Sequence, residues 1–171
     1  MISKTLEKAI NEQINRELYS EYLYVSMQAW FAGQNLDGFA NWMAVQSKEE
    51  RDHAMKFFNF LLERGGKVEL LAIDKPEIDF GSPLKALQMT YEHEQFITQN
   101  IHKLMDLALQ ENDHPSKSLL QWFVDEQVEE EASAEKILRR LEMIRDNVSG
   151  LFLLDSQLAQ RTYTAPAAEA E

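Results

Sequence analysis

The stretch Gly65-Gly66-Lys67-Val68-Glu69-Leu70-Leu71-Ala72-Ile73-Asp74-Lys75-Pro76-Glu77-Ile78-Asp79-Phe80-Gly81-Ser82 decides how the rest of the chain is arranged. It has no clear helical period, yet it lies between strongly helical segments. Gly65-Gly66 is a helix C-cap signal. Ser82 and Pro83 read as N-cap and first residue of the next helix. A structureless connection this long inside one domain needs a reason. Fully extended, it reaches more than about 50 Å at ~3.3 Å per residue.

On either side lie two pairs of long periodic segments. The first runs from about Ser3 to Ala32, and the second to Arg64, with Asp37 expected as its N-cap. The third runs from Pro83 to about Gln110. The fourth follows the short "ENDHPS" connection, reaches about Asn147 and is expected to be broken by Gly150. Each is about 42 Å long at ~1.5 Å per residue. Short connections make each pair an antiparallel hairpin, and the long connection spans the full height of the bundle. The expected fold is all-α: a four-helix bundle, up-down-down-up with one long crossover. "LFLLDSQLAQRTY" predicts a short fifth helix with Leu151, Leu154 and Leu158 on one side, an apolar face that either meets a partner or docks on its own bundle. One domain over 1–163 and a loose tail over 164–171 complete the expected organisation.

The 171-residue chain carries a net charge of −12, which disfavours nucleic acid and anionic membranes and favours cations. It has no Cys, so disulfides, thiolate metal sites and cysteine nucleophiles are excluded. The beginning, "MISKTLEKAINEQ", lacks the apolar core of a signal peptide, and a cytoplasmic protein is expected.

Each long segment interrupts its own apolar stripe with polar residues near its middle. Glu17 lies among Leu6, Ile10, Ile14, Tyr24 and Phe31. Glu50 and His53 lie among Phe39, Met43, Phe57 and Leu61. Glu94 lies among Leu84, Leu87, Tyr91, Ile101 and Met105. Gln127 and Glu130 lie among Leu120, Phe123, Ala134, Ile137 and Leu141. A buried ionised carboxylate is costly unless paired, and no Lys or Arg shares these stripes. Protonation and a bound cation remain. Four carboxylates, an imidazole and an amide suit a pair of hard or borderline cations, and their charge is what two divalent ions neutralise. Glu50-x-x-His53 and Gln127-x-x-Glu130 each place two side chains one turn apart on one face.

Glu17, "E50-R-D-H53-A", Glu94 and "Q127-V-E-E130" together resemble the ferritin family, and within it the non-haem bacterial ferritins, over residues 1 to about 163. The resemblance implies a ferroxidase that oxidises ferrous iron with dioxygen or peroxide and stores it as a hydrous ferric oxide. It implies one iron at Glu17, Glu50 and His53, a second at Glu94 and Glu130, with Glu50 bridging and Gln127 nearby. It also implies a third site at Glu49, Glu126 and Glu129 sharing Glu130, and a homo-oligomer of 24 subunits. Tyr24 matches a family tyrosine beside the centre, and Trp122 a nearby aromatic. Arg51 stands where haem-binding relatives carry a ligating Met, so haem is not expected. Two other readings stay open: a di-iron or di-manganese oxidoreductase acting on small oxidants, and an iron-inert cage subunit. Within the run Glu129-Glu130-Glu131, Glu130 is expected to face inward, Glu129 to flank it and Glu131 to be solvated.

Overall fold

The structure, a computed structural model, describes residues 1–165. Its five helices are α1 (Lys4–Gly33), α2 (Asp37–Glu63), α3 (Pro83–Gln110), α4 (His114–Ile144) and α5 (Val148–Leu158). Side-chain oxygens cap four of their N-termini. Ser3 Oγ accepts from the Leu6 N–H, Ser82 Oγ from Lys85, Asp113 Oδ1 from Ser116 and Asn147 Oδ1 from Gly150. Each satisfies a backbone donor that the first turn leaves without a partner. The fifth start differs from expectation. Leu36 occupies the N-cap of α2 without a side-chain bond, and Asp37 is the first helical residue. There its charge sits at the positive end of the helix dipole.

The crossover runs along α1 from its first turns to its last. Asn11 Nδ2 donates to the Lys67 carbonyl at 2.9 Å, Asn15 Nδ2 to Ala72 at 3.0 Å and Ser26 Oγ to Glu77 at 2.6 Å. The connection therefore climbs the whole bundle and starts α3 parallel to α2. Arg64, at the foot of α2, makes two 2.8 Å bonds to Asp113 at the foot of α4, joining the two hairpins at that end. Arg64 and the Ser116 N–H hold the Asp113 carboxyl well below the usual carboxylate range.

The core is divided into two apolar halves. One contains Leu6, Ile10, Ile14, Phe57, Leu61, Ile97, Ile101, Leu120 and Phe123, with Phe57 and Phe123 stacked at 3.9 Å. The other contains Tyr24, Met27, Phe31, Phe39, Met43, Leu87, Ile137, Leu141 and Leu154. Between them lies a buried polar layer: Gln13, Glu17, Ser20, Gln46, Glu50, His53, Thr90, Glu94, Gln127 and Glu130. The apolar halves supply the burial that stabilises the bundle, and so hold this layer in place.

Several expectations are corrected. On α3, Leu84 is exposed and Tyr91 and Met105 are only half-buried; the core face is Ala86, Leu87, Thr90, Ile97, Ile101 and Leu104. A 3.6-residue period permits either stripe, and the packing partner selects one. Helix α4 stops at Ile144 because Arg145 adopts a positive φ of 49°. Gly150 is not the breaker and lies inside α5. Of the two places open to the apolar face of α5, the structure shows it docked on the bundle itself. Leu154 and Leu158 are buried and Leu151 is half-buried. Gly38 permits this contact, since a Cβ there would fall 1.7 Å from the Asp155 carbonyl oxygen. The apolar residues α5 leaves exposed are instead Val148, Phe152 and Leu153. Most of the expected tail at 164–171 lies outside the described residues.

Candidate metal centre

The polar layer sits where all four long helices come together. Glu17 on α1, Glu50 and His53 on α2, Glu94 on α3, and Gln127 and Glu130 on α4 are each at least 95% buried. Glu17, Glu50 and His53 each offer a ligand atom, and these atoms lie within 4.8 Å of one another. His53, Glu126 and Glu130 form a second such group, so His53 belongs to both. The His53 Nδ1 lies 3.6 Å from Glu50 Oε2.

Neutral side chains orient the carboxylates. Gln13 Nε2 donates to Glu17 Oε1 at 2.8 Å, and Gln46 Nε2 to Glu130 Oε2 at 2.7 Å. The Tyr24 hydroxyl donates to Glu94 Oε1. Gln127 Nε2 lies 3.3 Å from both Glu94 Oε2 and Thr98 Oγ1. On Glu17 and Glu130 the glutamine holds one oxygen and leaves the other for a further interaction, whereas Tyr24 and Gln127 between them take both oxygens of Glu94. Glu17 Oε2, Glu50 Oε2 and Gln46 Oε1 are buried with no hydrogen-bond partner. Buried polar atoms without partners are rare because each forfeits its solvation. Here three acceptors share one layer, and among the described residues no Lys or Arg donates to Glu17, Glu50, Glu94 or Glu130. Such a set of acceptors fits a cation.

Burial dominates the electrostatics. It pushes Glu94 up to about 7 and Glu130 up to about 8. Glu50 rises well above the carboxylate range, first from burial and then from the charges of Glu94, Glu17 and Glu130. Glu17 is also raised by burial, against the pull of His53. Tyr24 is raised for the same reason, with Glu94 and Glu50 adding to it. Four acids placed together out of water resist ionisation until positive charge arrives.

The residues of the expected third site are not brought together as a set. Glu126 joins His53 and Glu130, but Glu129 is exposed and outside that group. Glu49 is half-buried, and its Oε2 takes a 2.6 Å bond from Arg161 Nη2. Glu131 is not merely solvated: it is half-buried and accepts from Thr98 Oγ1 at 2.6 Å. Thr98 thereby links it to Gln127. Trp122 places its ring edge against His53 at 5.6 Å between centroids, with Lys56 Nζ 4.6 Å from its own ring centroid.

Sequence reasoning missed Gln13, Gln46 and His93. Gln13 and Gln46 lie four residues before Glu17 and Glu50 on the same faces, so their stripe positions were a usable signal. His93 carried none, because it flanks the core stripe. Its Nε2 lies 2.7 Å from Ser20 Oγ, whose own proton goes to the Arg16 carbonyl, and its ring stands edge-on to Tyr24 at 6.0 Å. Burial lowers it to about 4.

The model of the ferritin-like domain matches residues 7–144. A bacterial non-heme ferritin of Staphylococcus aureus is 38% identical over 163 residues, 95% of this chain and 98% of that protein. One from Bacteroides fragilis is 40% identical over 94% of this chain and its whole length. Among solved structures, an engineered closed form of the Archaeoglobus fulgidus ferritin superposes with a TM-score of 0.95 at 48% identity, covering 96% of this chain and all of that one. The open-pore form of that archaeal ferritin gives 0.94. The buried four-helix layer of acids, the crossover bundle around it and these likenesses over nearly the whole chain agree: the protein belongs to the ferritin family.

Proposed function

We propose that the polar layer is an intrasubunit ferroxidase centre whose substrate is ferrous iron, in a protein that stores the oxidised product. Glu17, Glu50 and His53 hold one iron, and Glu94 and Glu130 the other. Glu50 lies between them, with Gln127 beside Glu94. The observation that carries the reading is the set of buried, unpartnered acceptors on Glu17, Glu50 and Gln46 in a layer whose acids no Lys or Arg among the described residues bonds. Oxygen ligands and one imidazole suit ferrous iron and stabilise its oxidation to the ferric state. Tyr24 orients Glu94 and is placed to exchange a proton or an electron with the site. A third iron at Glu126 and Glu130, with Glu49 and Glu129 drawn in, is part of the same proposal, and haem is not.

Storage needs a container, and the exposed Val148, Phe152 and Leu153 on α5 give the chain an apolar surface for its own copies. We assign a closed shell of 24 subunits to it. Among the described residues no helix is long and apolar enough to cross a membrane. A cytoplasmic location belongs to the proposal.

The test is aerobic addition of ferrous iron to the full chain and to its Glu130→Ala variant, followed by light scattering and iron analysis of the product. The parent should take up iron far beyond two ions per chain in a particle of shell size, and the variant should oxidise it slowly. Uptake that stops at a few ions per chain would make the protein an oxidoreductase on small oxidants, not a store. A mass near that of one chain would remove the shell.

Gln127 sets how the centre releases product. A neutral amide beside Glu94 leaves the second iron with fewer charged ligands than a carboxylate would. Gln127→Glu should retain ferric iron at the centre, seen as slower recovery of rapid oxidation between successive additions of iron. Recovery as fast as in the parent protein would refute this.

A further inference from the structure

Beyond α5, residues 159–165 do not leave the molecule. They fold back over α2 as a strap. Asn41 Nδ2 donates to the carbonyls of Leu158 at 3.2 Å and Arg161 at 2.9 Å. The Arg161 guanidinium lies over the Trp42 ring, 4.8 Å from its centroid, and Nη1 reaches the Trp42 carbonyl at 3.4 Å. Two residues on, the Tyr163 hydroxyl donates to Asp52 Oδ2 at 2.6 Å, with Lys48 Nζ 5.4 Å from its ring. The strap therefore tracks the face of α2 that carries positions 41, 42, 48, 49 and 52. Through these contacts Arg161 is held at a fixed place, where Nη2 bonds Glu49 Oε2 at 2.6 Å.

Arg161 is the one Lys or Arg among the described residues that bonds any of the carboxylates assigned to iron. Its side chain is 25% exposed and that of Glu49 is 27%, so water screens the pair only in part. Glu49 lies one helical turn before His53 on α2, which places it on the same side of that helix as the His53–Glu126–Glu130 group.

We propose that Arg161 is a positioning residue that competes with a metal ion for Glu49. The C-terminal strap thus weakens the outer site beside His53, Glu126 and Glu130 without touching the two inner ones. This rests on the third-site reading above. With the pair closed, the guanidinium neutralises Glu49 and repels an arriving cation. An ion that binds there must displace it, so product iron is held loosely on its way out of the centre.

The test uses zinc ions, which undergo no redox change, titrated calorimetrically into the full-length, metal-free protein. In the parent, two ions per chain should bind tightly and a third more weakly. Arg161→Gln should tighten the third by about tenfold and leave the first two unchanged. Arg161→Lys keeps a charge but loses the fork and the stacking on Trp42, so it should tighten the third by roughly two- to threefold. On a Glu49→Gln background, Arg161→Gln should add nothing, because the contested carboxylate is gone. A purely structural role for Arg161 would weaken the third site or move all three together. A third site unchanged or weaker in Arg161→Gln, with two intact inner sites, overturns the proposal. So does the absence of any third ion in parent and variant alike. Loss of the inner two in the parent would instead overturn the centre. If Arg161→Gln does not fold, the lysine variant decides: no rise in third-site affinity overturns the proposal.

Discussion

Glu50→Gln should abolish rapid ferrous oxidation while raising the melting temperature of the metal-free protein. Glu50 lies between the two proposed irons, with one buried oxygen unpartnered and His53 3.6 Å away. The charges of Glu94, Glu17 and Glu130 all oppose its ionisation. The amide keeps its shape, removes the negative charge and brings an N–H donor into a layer that has unpartnered acceptors. In the metal-free protein this relieves desolvation and repulsion at once. A gain on the order of 1 kcal/mol corresponds to about 2–4 °C for a chain of this size. The same substitution removes the proposed shared ligand. Changes to groups that merely orient a metal's ligands cost about 10–100-fold, so losing the ligand itself should cost at least ~100-fold in the initial oxidation rate. Stopped-flow oxidation and calorimetry of the metal-free variant measure the two effects. A rate within about tenfold of the parent, or a lower melting temperature, would contradict the assignment. An acid retained only for packing would not couple lost activity to gained stability.

The metal-free protein should lose stability as pH rises from 5 to 8.5, and divalent metal should restore it. Glu94 and Glu130 titrate at about 7 and about 8 in the folded chain, against 4.5 as ordinary glutamates. Their pKa values are raised on folding, so the folded state binds more protons than the unfolded state across this window. Stability is then fully present below about 4.5 and is lost as pH climbs through about 7 and about 8. Glu50 and Glu17 act in the same direction. The groups repel one another and titrate as a set, so their effects do not simply add. A fall of melting temperature on the order of 10 °C between pH 5 and 8.5 is expected. One equivalent of divalent ion per site should remove most of it, since the metal supplies the charge that protons supply at low pH. Differential scanning calorimetry of the chelated protein checks the sign. A melting temperature that is flat or rises with pH would show that these acids are not held protonated together.

The buried acids proposed as ligands were legible because each violates a strong local rule. An acid on an apolar stripe is conspicuous on any helix, and Glu17, Glu50, Glu94 and Glu130 do this at matching depth on four of them. All four are buried in one layer. The residues that orient them were harder to see. Gln13 and Gln46 are also stripe violations, but a glutamine on a helix is unremarkable until the carboxylate it bonds is known. Glu129 and Glu131 show the opposite error. Their neighbours in sequence fixed which way they turn, but not what waits there. Thr98 on α3 meets Glu131, and Glu129 is left exposed.

Local sequence determined most of the fold: the start near Ser3, the cap at Ser82, the stop at Gly65-Gly66, and a crossover long enough to climb the bundle. Those are properties of backbone donors, of turn conformations and of chain length, and each is decided within a few residues. Tertiary structure alone decided the rest. It chose which stripe of α3 is core, turned α5 so that Leu154 and Leu158 face inward while Phe152 and Leu153 face out, and brought Arg161 back to Glu49, 112 positions earlier. Helical periodicity allows more than one buried face, and an arginine beyond the last helix finds its carboxylate only after the bundle has formed. Packing against a neighbour removes that freedom.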